Sequence, residues 1–286
     1  MKVAVLGLGL MGSAIALRLQ ARGQAVVGWN RTAERLSALA RQGLETAPSA
    51  ADAVAGADLC ILALSDHGAV VATLFQDGTA ERLAGRKLVQ MGTIAPSESR
   101  DLAARVAAAG GAYLEAPVLG SLPEAQAGRL IVMAGGDPQL FESCLPVLGC
   151  LGKDPRLIGP VGQGAALKLA MNQLIAGLTA TFSLSLGLVR AEGIDVEQFM
   201  SLLRGSALYA PTFDKKLAKY LSHDYGQANF PLKHLLKDVR LFRRVVEPLG
   251  MDNALITTVE AACARAMGLG YADQDYSALY EAIAPR

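Results

Sequence analysis

The stretch Lys2-Val3-Ala4-Val5-Leu6-Gly7-Leu8-Gly9-Leu10-Met11-Gly12-Ser13 decides how this chain is read. An apolar run, Val3 to Leu6, breaks into closely spaced glycines and then into a helical pattern from Ser13. Strand, glycine turn and helix in that order make a dinucleotide-binding unit, in which Gly7 permits the tight turn, Gly9 lets a pyrophosphate approach the backbone and Gly12 lets the helix pack closely on the strand. The phosphates then meet the free N–H groups of the helix start, which places Leu8, Leu10 and Met11 beside the three glycines as cofactor contacts.

A second strand, Gln24 to Trp29, follows, and the residue at its tip chooses between cofactors. An acid there would bond the ribose 2′-hydroxyl and repel a 2′-phosphate. The sequence has Asn30-Arg31-Thr32 instead. A guanidinium with no acid beside it favours a 2′-phosphate through charge-assisted bonds, so the expected cofactor is NADP(H) rather than NAD(H). The competing reading makes Arg31 a solvated first-turn arginine and Asn30 or Thr32 a helix cap. Glu34 is the nearest acid, but helical spacing carries it away from the strand tip.

With 286 residues, the chain suits a nucleotide domain plus a second domain. Lys and Arg total 27 against 26 for Asp and Glu, with no stretch of one sign, so nucleic acid and anionic membranes are not the expected partners; a small molecule is. Cys60, Cys144, Cys150 and Cys263 lack metal-ligand spacing, and no His/Asp/Glu cluster supplies it either, so no metal is expected. Reduced thiols fit a cytoplasmic protein. The apolar start resembles a short signal peptide, yet its glycines fall in fingerprint register. The run Ala165 to Val189 could span a bilayer by length, but Lys168, Asn172 and Gln173 interrupt it, and a helix buried in a domain or shared with a second subunit is expected.

Further along, helical Ala33 to Arg41 precedes the fully apolar strand Leu59 to Leu64, whose lack of alternation suits a parallel strand covered on both faces. The end of that strand, Leu64 and Ser65 followed by Asp66-His67, should face the cofactor. Lys87 to Met91 reads as the next strand, and Gly92 to Ser97 opens a helix with Pro96 in its first turn. Ala112 to Val118 and Arg129 to Ala134 read as the last strands, joined by a loop from Leu119 to Glu124. This alternation predicts a doubly wound parallel sheet over residues 1–162, with ligands at its carboxyl edge. Residues 163–286 carry helical stripes at Ala165 to Arg190, Asp195 to Leu203, Pro231 to Val246 and Asn253 to Met267, which predict an all-α domain entered through a long helix.

Lys168 interrupts an apolar helical face, with Asn172 one turn on. Burial brings a lysine toward neutrality, where it can give and take a proton. Carbonyl reduction needs such a group, because the oxygen becomes an alkoxide as hydride arrives at carbon. Lys168 is therefore the candidate acid and Asn172 its partner; the alternative is a lysine that snorkels to the surface beside a capping asparagine. His67, His223 and His234 show no acid at helical spacing to orient them.

These motifs resemble the β-hydroxyacid dehydrogenase family over essentially the full chain. Gly7 to Gly12 resembles its dinucleotide motif, Glu115-Ala116-Pro117-Val118-Leu119-Gly120-Ser121 its substrate loop, and Gly159-Pro160-Val161-Gly162-Gln163-Gly164-Ala165-Ala166-Leu167-Lys168-Leu169-Ala170-Met171-Asn172 its catalytic motif. Phe230-Pro231-Leu232-Lys233-His234 with Lys237-Asp238 is similar to the glyoxylate and succinic semialdehyde reductase branch, which uses NADPH. The resemblance implies that Lys168 is the proton donor and Asn172 positions it, that Thr93 and Lys237 touch the cofactor, and that Ser121, Phe230 and Asp238 shape the substrate pocket, with the Gly120 and Ser121 amides open to a carboxylate.

Leu119 stands where the family has serine, and Leu122-Pro123 where the branch carries two lysines, which weakens a polar grip on a carboxylate. The expected function is NADPH-dependent reduction of a short aldehyde acid by a homodimer or homotetramer whose domains close around the substrate. Oxidation of 3-hydroxyisobutyrate and a non-catalytic dinucleotide sensor are the alternatives, and Lys168 argues against an imine reductase.

Overall fold

The computed structural model describes residues 1–284. The chain divides into two compact units, with the division after Leu169, within a long helix. The sequence-based division at 162/163 coincides with the start of that helix.

The first unit runs β1 (Lys2–Leu6), α1 (Leu10–Ala21), β2 (Ala25–Trp29), α2 (Ala33–Ala40), β3 (Glu45–Thr46), α3 (Ala50–Ala55), β4 (Leu59–Leu62), α4 (His67–Leu74), β5 (Lys87–Gln90), α5 (Pro96–Ala108), β6 (Ala112–Glu115), β7 (Val118–Leu119), α6 (Leu122–Ala127), β8 (Ile131–Gly135), α7 (Pro138–Leu151) and β9 (Arg156–Gly159). Strands β3-β2-β1-β4-β5-β6 lie side by side in that order and all run parallel. The strand period of two explains why the inner strands read as unbroken apolar runs. Val3, Val5, Leu59 and Ile61 pack into one core with Ile15 and Leu19 of α1 and Phe141, Val147 and Leu148 of α7. Ala4, Leu6, Cys60 and Leu62 pack into a second core on the other face, with Val54, Val70, Leu74, Leu102 and Val106. Each fully buried Leu or Ile among them stabilises the unit by about 1.5–3 kcal/mol.

The far edge of the sheet departs from the expected all-parallel form. Strand β8 is antiparallel to β6 and β7, and β9 then pairs parallel with β8. A parallel return needs a crossover of a dozen or more residues, and the link from Leu119 to Ile131 is shorter than that, so β8 comes back antiparallel beside β7. The expected strand Ala112 to Val118 is split, because Pro117 has no N–H to continue a ladder. The expected loop Leu119 to Glu124 becomes the start of α6, whose capping box Ser121-Leu122-Pro123-Glu124 was present in the sequence as a helix signal. Strands β3 and β9 and helix α7 were not anticipated either.

The second unit contains most of α8 (Gln163–Ala191), then α9 (Val196–Arg204), α10 (Pro211–Ser222), α11 (Leu232–Val246), α12 (Ala254–Ala266) and α13 (Tyr280–Ile283). Among its described residues the only β feature is an isolated bridge between Pro231 and Asp275, so the domain is all-α as expected. Helix α10 was missed: its inner face mixes Phe213 and Tyr220 with a charged residue, Lys216. That ammonium is 5 % exposed and donates to both oxygens of the fully buried Asp275, at 2.8 and 2.7 Å. Only 33 % of the most apolar window of α8 is buried, so the expectation of a largely buried helix does not hold within one chain.

Candidate active site

At the carboxyl end of β1, Gly7 adopts φ +96° and its N–H donates to Trp29 O at 2.9 Å, a conformation that favours glycine. A Cβ on Gly12 would overlap Gly7 O, so α1 lies as close to the strand as a glycine allows. At Gly9 the nearest atom to such a Cβ is Arg35 Nη1, 3.5 Å away. No side chain caps α1, so its first amides, those of Leu10 and Met11, present an open anion cradle that a pyrophosphate fits. Leu8 does not join them, because its N–H donates to Asn30 Oδ1 at 3.0 Å. Asn30 in turn donates through Nδ2 to Thr32 O at 3.2 Å, tying the glycine turn to the end of β2. Thr32 holds the cap position of α2 without a side-chain capping bond. Arg31 is exposed just before the cap of α2, and the sequence reading overlooked Arg35 in the first turn of that helix.

Beyond β4, Leu64 is partly buried and Ser65 Oγ donates to Asp66 Oδ2 at 2.9 Å, while Asp66 Oδ1 caps α4 by accepting Ala69 N–H at 2.8 Å. Two histidines have the acid partners that local spacing did not show. His67 Nε2 lies 3.1 Å from Asp101 Oδ2, and His223 Nδ1 lies 2.5 Å from Glu281 Oε1. Burial, with the ammonium groups of Lys237 and Lys233, holds His234 below its ordinary value. Thr93 is partly buried just past β5, and the cap of α5 is Ala95, whose N–H donates to Glu98 Oε2 at 2.8 Å.

The substrate-loop motif differs from expectation at Ser121. Its N–H donates to Glu124 Oε2 at 2.7 Å and its hydroxyl to the same oxygen at 2.5 Å, so the Ser121 amide is already occupied. Gly120, at φ +137°, makes the turn before it. Leu122 packs against the first core, and Leu119 pairs with Ile131 in the β7–β8 ladder.

In α8, Lys168 is 8 % exposed and Asn172, one turn later, 3 %. Asn172 Nδ2 donates to Asp238 Oδ2 at 2.6 Å, and Lys237 Nζ lies 3.0 Å from Asp238 Oδ1. Because a carboxylate only accepts, this fixes the amide's orientation. Asn172 Oδ1 is left buried with no hydrogen-bond partner, an acceptor that awaits a donor. Asp238, expected to line the pocket, accepts from Asn172 through Oδ2, while its buried Oδ1 faces Lys237 as an ion pair without a hydrogen bond. Phe230 packs edge-on against Tyr276 with ring centres 5.7 Å apart, partly within the helical core. Among the described residues no three His, Cys, Asp or Glu side chains are grouped as a metal site.

Residues 2–162 match the profile of the NAD binding domain of 6-phosphogluconate dehydrogenase, and residues 162–283 that of the NAD-binding region of NADP-dependent 3-hydroxyisobutyrate dehydrogenase. Glyoxylate/succinic semialdehyde reductase 1 of Arabidopsis thaliana is 34 % identical over 99 % of this chain and 98 % of its own. The chain belongs to the β-hydroxyacid dehydrogenase family. It is thus an oxidoreductase of that family's type, and its first unit is a nicotinamide dinucleotide domain. The 3-hydroxyisobutyrate dehydrogenase of Salmonella typhimurium superposes with a TM-score of 0.88 over 98 % of this chain and 99 % of its own at 24 % identity, a likeness of fold alone. Psf3, solved with NADP+ and 2-OPP, superposes with a TM-score of 0.87 at 25 % identity, over 98 % of this chain and 99 % of that one.

Proposed function

We propose that this β-hydroxyacid dehydrogenase family member is an NADPH-dependent reductase of short aldehyde acids such as glyoxylate or succinic semialdehyde. The observation that carries the reading is a buried lysine one helical turn from an asparagine whose amide is locked by a buried carboxylate. Bound NADPH supplies hydride to the carbonyl carbon. The amides of Gly9, Leu10 and Met11 hold the pyrophosphate, Lys168 delivers a proton to the carbonyl oxygen as charge develops on it, and Asn172 Oδ1 accepts a hydrogen bond from the donor it faces. Absorbance of the reduced nicotinamide, followed with NADPH and NADH across glyoxylate, succinic semialdehyde, methylglyoxal and a cyclic imine, tests this reading. Turnover of an aldehyde acid with NADPH supports it, and turnover of the imine alone sinks it. The profile matched by residues 162–283 favours a second reading, oxidation of 3-hydroxyisobutyrate with Lys168 as base; oxidation of that acid with no aldehyde-acid reduction selects it.

Cofactor choice rests on Arg31 and Arg35, neither of which makes an ion pair among the described residues. A hydrogen bond to a charged group is worth about 1.5–3 kcal/mol, so Arg31→Ala should raise the KM for NADPH by roughly 10- to 100-fold. The KM for NADH should stay unchanged. Arg35→Ala should shift NADPH in the same direction, and equal effects on both cofactors would remove these arginines from 2′-phosphate recognition.

For the partner of the exposed α8 face we propose a second copy of the chain. Leu174, Leu184 and Leu188 are 58, 65 and 63 % exposed, and nothing lies within 4 Å of a Cβ on Gly177. About a two-fold axis at Gly177, an antiparallel copy sets Leu184 against Ala170 and Leu188 against Ala166, large side chains into small. Leu184→Glu should convert the species seen by light scattering to monomer; an unchanged mass, or a wild-type monomer, refutes the interface.

A further inference from the structure

Glu115 is the last residue of β6 and is 1 % exposed. Its Oε1 accepts the N–H of Gly162 at 2.8 Å and of Ala165 at 3.1 Å. Its Oε2 accepts the hydroxyl of Ser99. Since Ser99 has one hydroxyl proton and gives it to the carboxylate, Tyr113, whose OH lies 2.8 Å from Ser99 Oγ, must donate to Ser99. The carboxylate is thus surrounded by donors.

Gly162 and Ala165 belong to the start of α8, where amides have no helical partner and the helix dipole favours a negative charge. The side chain that serves this helix start comes from another element, 47 and 50 residues away in sequence. A Cβ on Gly164 would come within 3.1 Å of Glu115 Oε1, and one on Gly135 would collide with it, so the backbone closes around the carboxylate from two sides. Lys168 follows Ala165 by three residues, less than one helical turn.

We propose that Glu115 is a positioning residue for Lys168: by anchoring the first turn of α8 to the end of β6, it keeps the ammonium at the carboxyl edge of the sheet where the substrate oxygen is protonated. This rests on Lys168 being the proton donor.

The test compares Glu115→Ala, Glu115→Asp and Glu115→Gln with Lys168→Ala, measuring kcat, the dissociation constant for NADPH, and the solvent deuterium isotope effect on kcat. Glu115→Gln keeps an Oε1 acceptor and can turn its NH2 toward Ser99 Oγ, so its kcat should stay within about threefold of wild type. Misplacing a catalytic group by about 1 Å costs up to roughly 10²-fold, so Glu115→Ala should lose about 10- to 100-fold in kcat, with the NADPH constant within about twofold and a larger isotope effect. Glu115→Asp withdraws the carboxylate by one methylene while keeping its charge; it should fall between them and carries the test if the alanine variant does not fold. Combined with Lys168→Ala, either variant should cost nothing more, because both act through one group. Unchanged kcat in Glu115→Asp and Glu115→Ala, or a loss that follows the folded fraction with an unchanged isotope effect, overturns the proposal. Retained turnover in Lys168→Ala overturns the functional reading instead, whatever Glu115 does.

Discussion

Lys168→Ala should lower kcat by about 10²- to 10⁴-fold, the range a positioned general acid contributes. Lys168 is part of neither the glycine turn nor the Arg31 and Arg35 pair, so no proposed cofactor amide or 2′-phosphate cation is removed with it and NADPH binding should survive. The loss belongs to kcat rather than KM because the proton is needed only as the carbonyl oxygen gains charge. Stopped-flow mixing with saturating NADPH and aldehyde acid separates the outcomes: the variant should bind NADPH with wild-type affinity and show a hydride-transfer phase slowed by the same factor as kcat. Wild-type hydride transfer in the variant would leave Lys168 a structural lysine and shift attention to His67 or His223, each of which has an acid partner.

The largest loss of stability should follow Asp275→Ala. Lys216 has its ammonium on both Asp275 oxygens and 4.5 Å from the centre of the Tyr276 ring. Ser277 adds its N–H at 3.2 Å and its hydroxyl at 2.8 Å to Asp275 Oδ1. Burial pushes the Lys216 ammonium down from its ordinary value, so without its carboxylate it is strongly disfavoured in place. Removing one partner of such a pair costs about 3–5 kcal/mol, a fall in Tm on the order of 10 °C for a unit of this size. Replacing both members, as in Lys216→Met with Asp275→Leu, should recover most of that loss because no charge is then left unpaired. Thermal denaturation of the single and the double variant decides it; an Asp275→Ala variant as stable as wild type would mean that water reaches Lys216. The same pair steadies the entry to α11, since Leu232 N–H donates to Gln274 O at 2.8 Å and Tyr276 N–H to Phe230 O at 3.0 Å.

Which parts were readable in advance follows from how far each interaction reaches along the chain. Gly7, Gly9 and Gly12 act within one turn of backbone, so the strand, turn and helix at the N-terminus emerge as expected. The helical stripes from Asp195 onward reappear within a residue or two as α9, α11 and α12, since a 3.6-residue period is also a local property. Helix α10 escaped because its inner face carries Lys216, whose partner lies 59 residues away. The far edge of the sheet escaped for a related reason: strand direction depends on where the chain returns, and short apolar segments such as Ile131–Gly135 look the same in either direction.

The candidate site divides along the same line. The residue types were legible: a guanidinium at the tip of β2, a lysine on an apolar helix, an asparagine one turn later. What each side chain is bonded to was not. Asn30 serves Leu8, Ser121 serves Glu124, and Asp238 holds Asn172 across 66 residues of sequence. The sequence by itself determined the dinucleotide turn, the two-domain order and the candidate proton donor, because glycine sterics and helical periodicity operate over a few residues. Only the tertiary structure decided that Glu115 anchors α8, that Asp238 locks Asn172 and that Asp275 neutralises Lys216, because a buried charge must find a partner in space and nothing in its local sequence specifies which distant segment folds back to supply one.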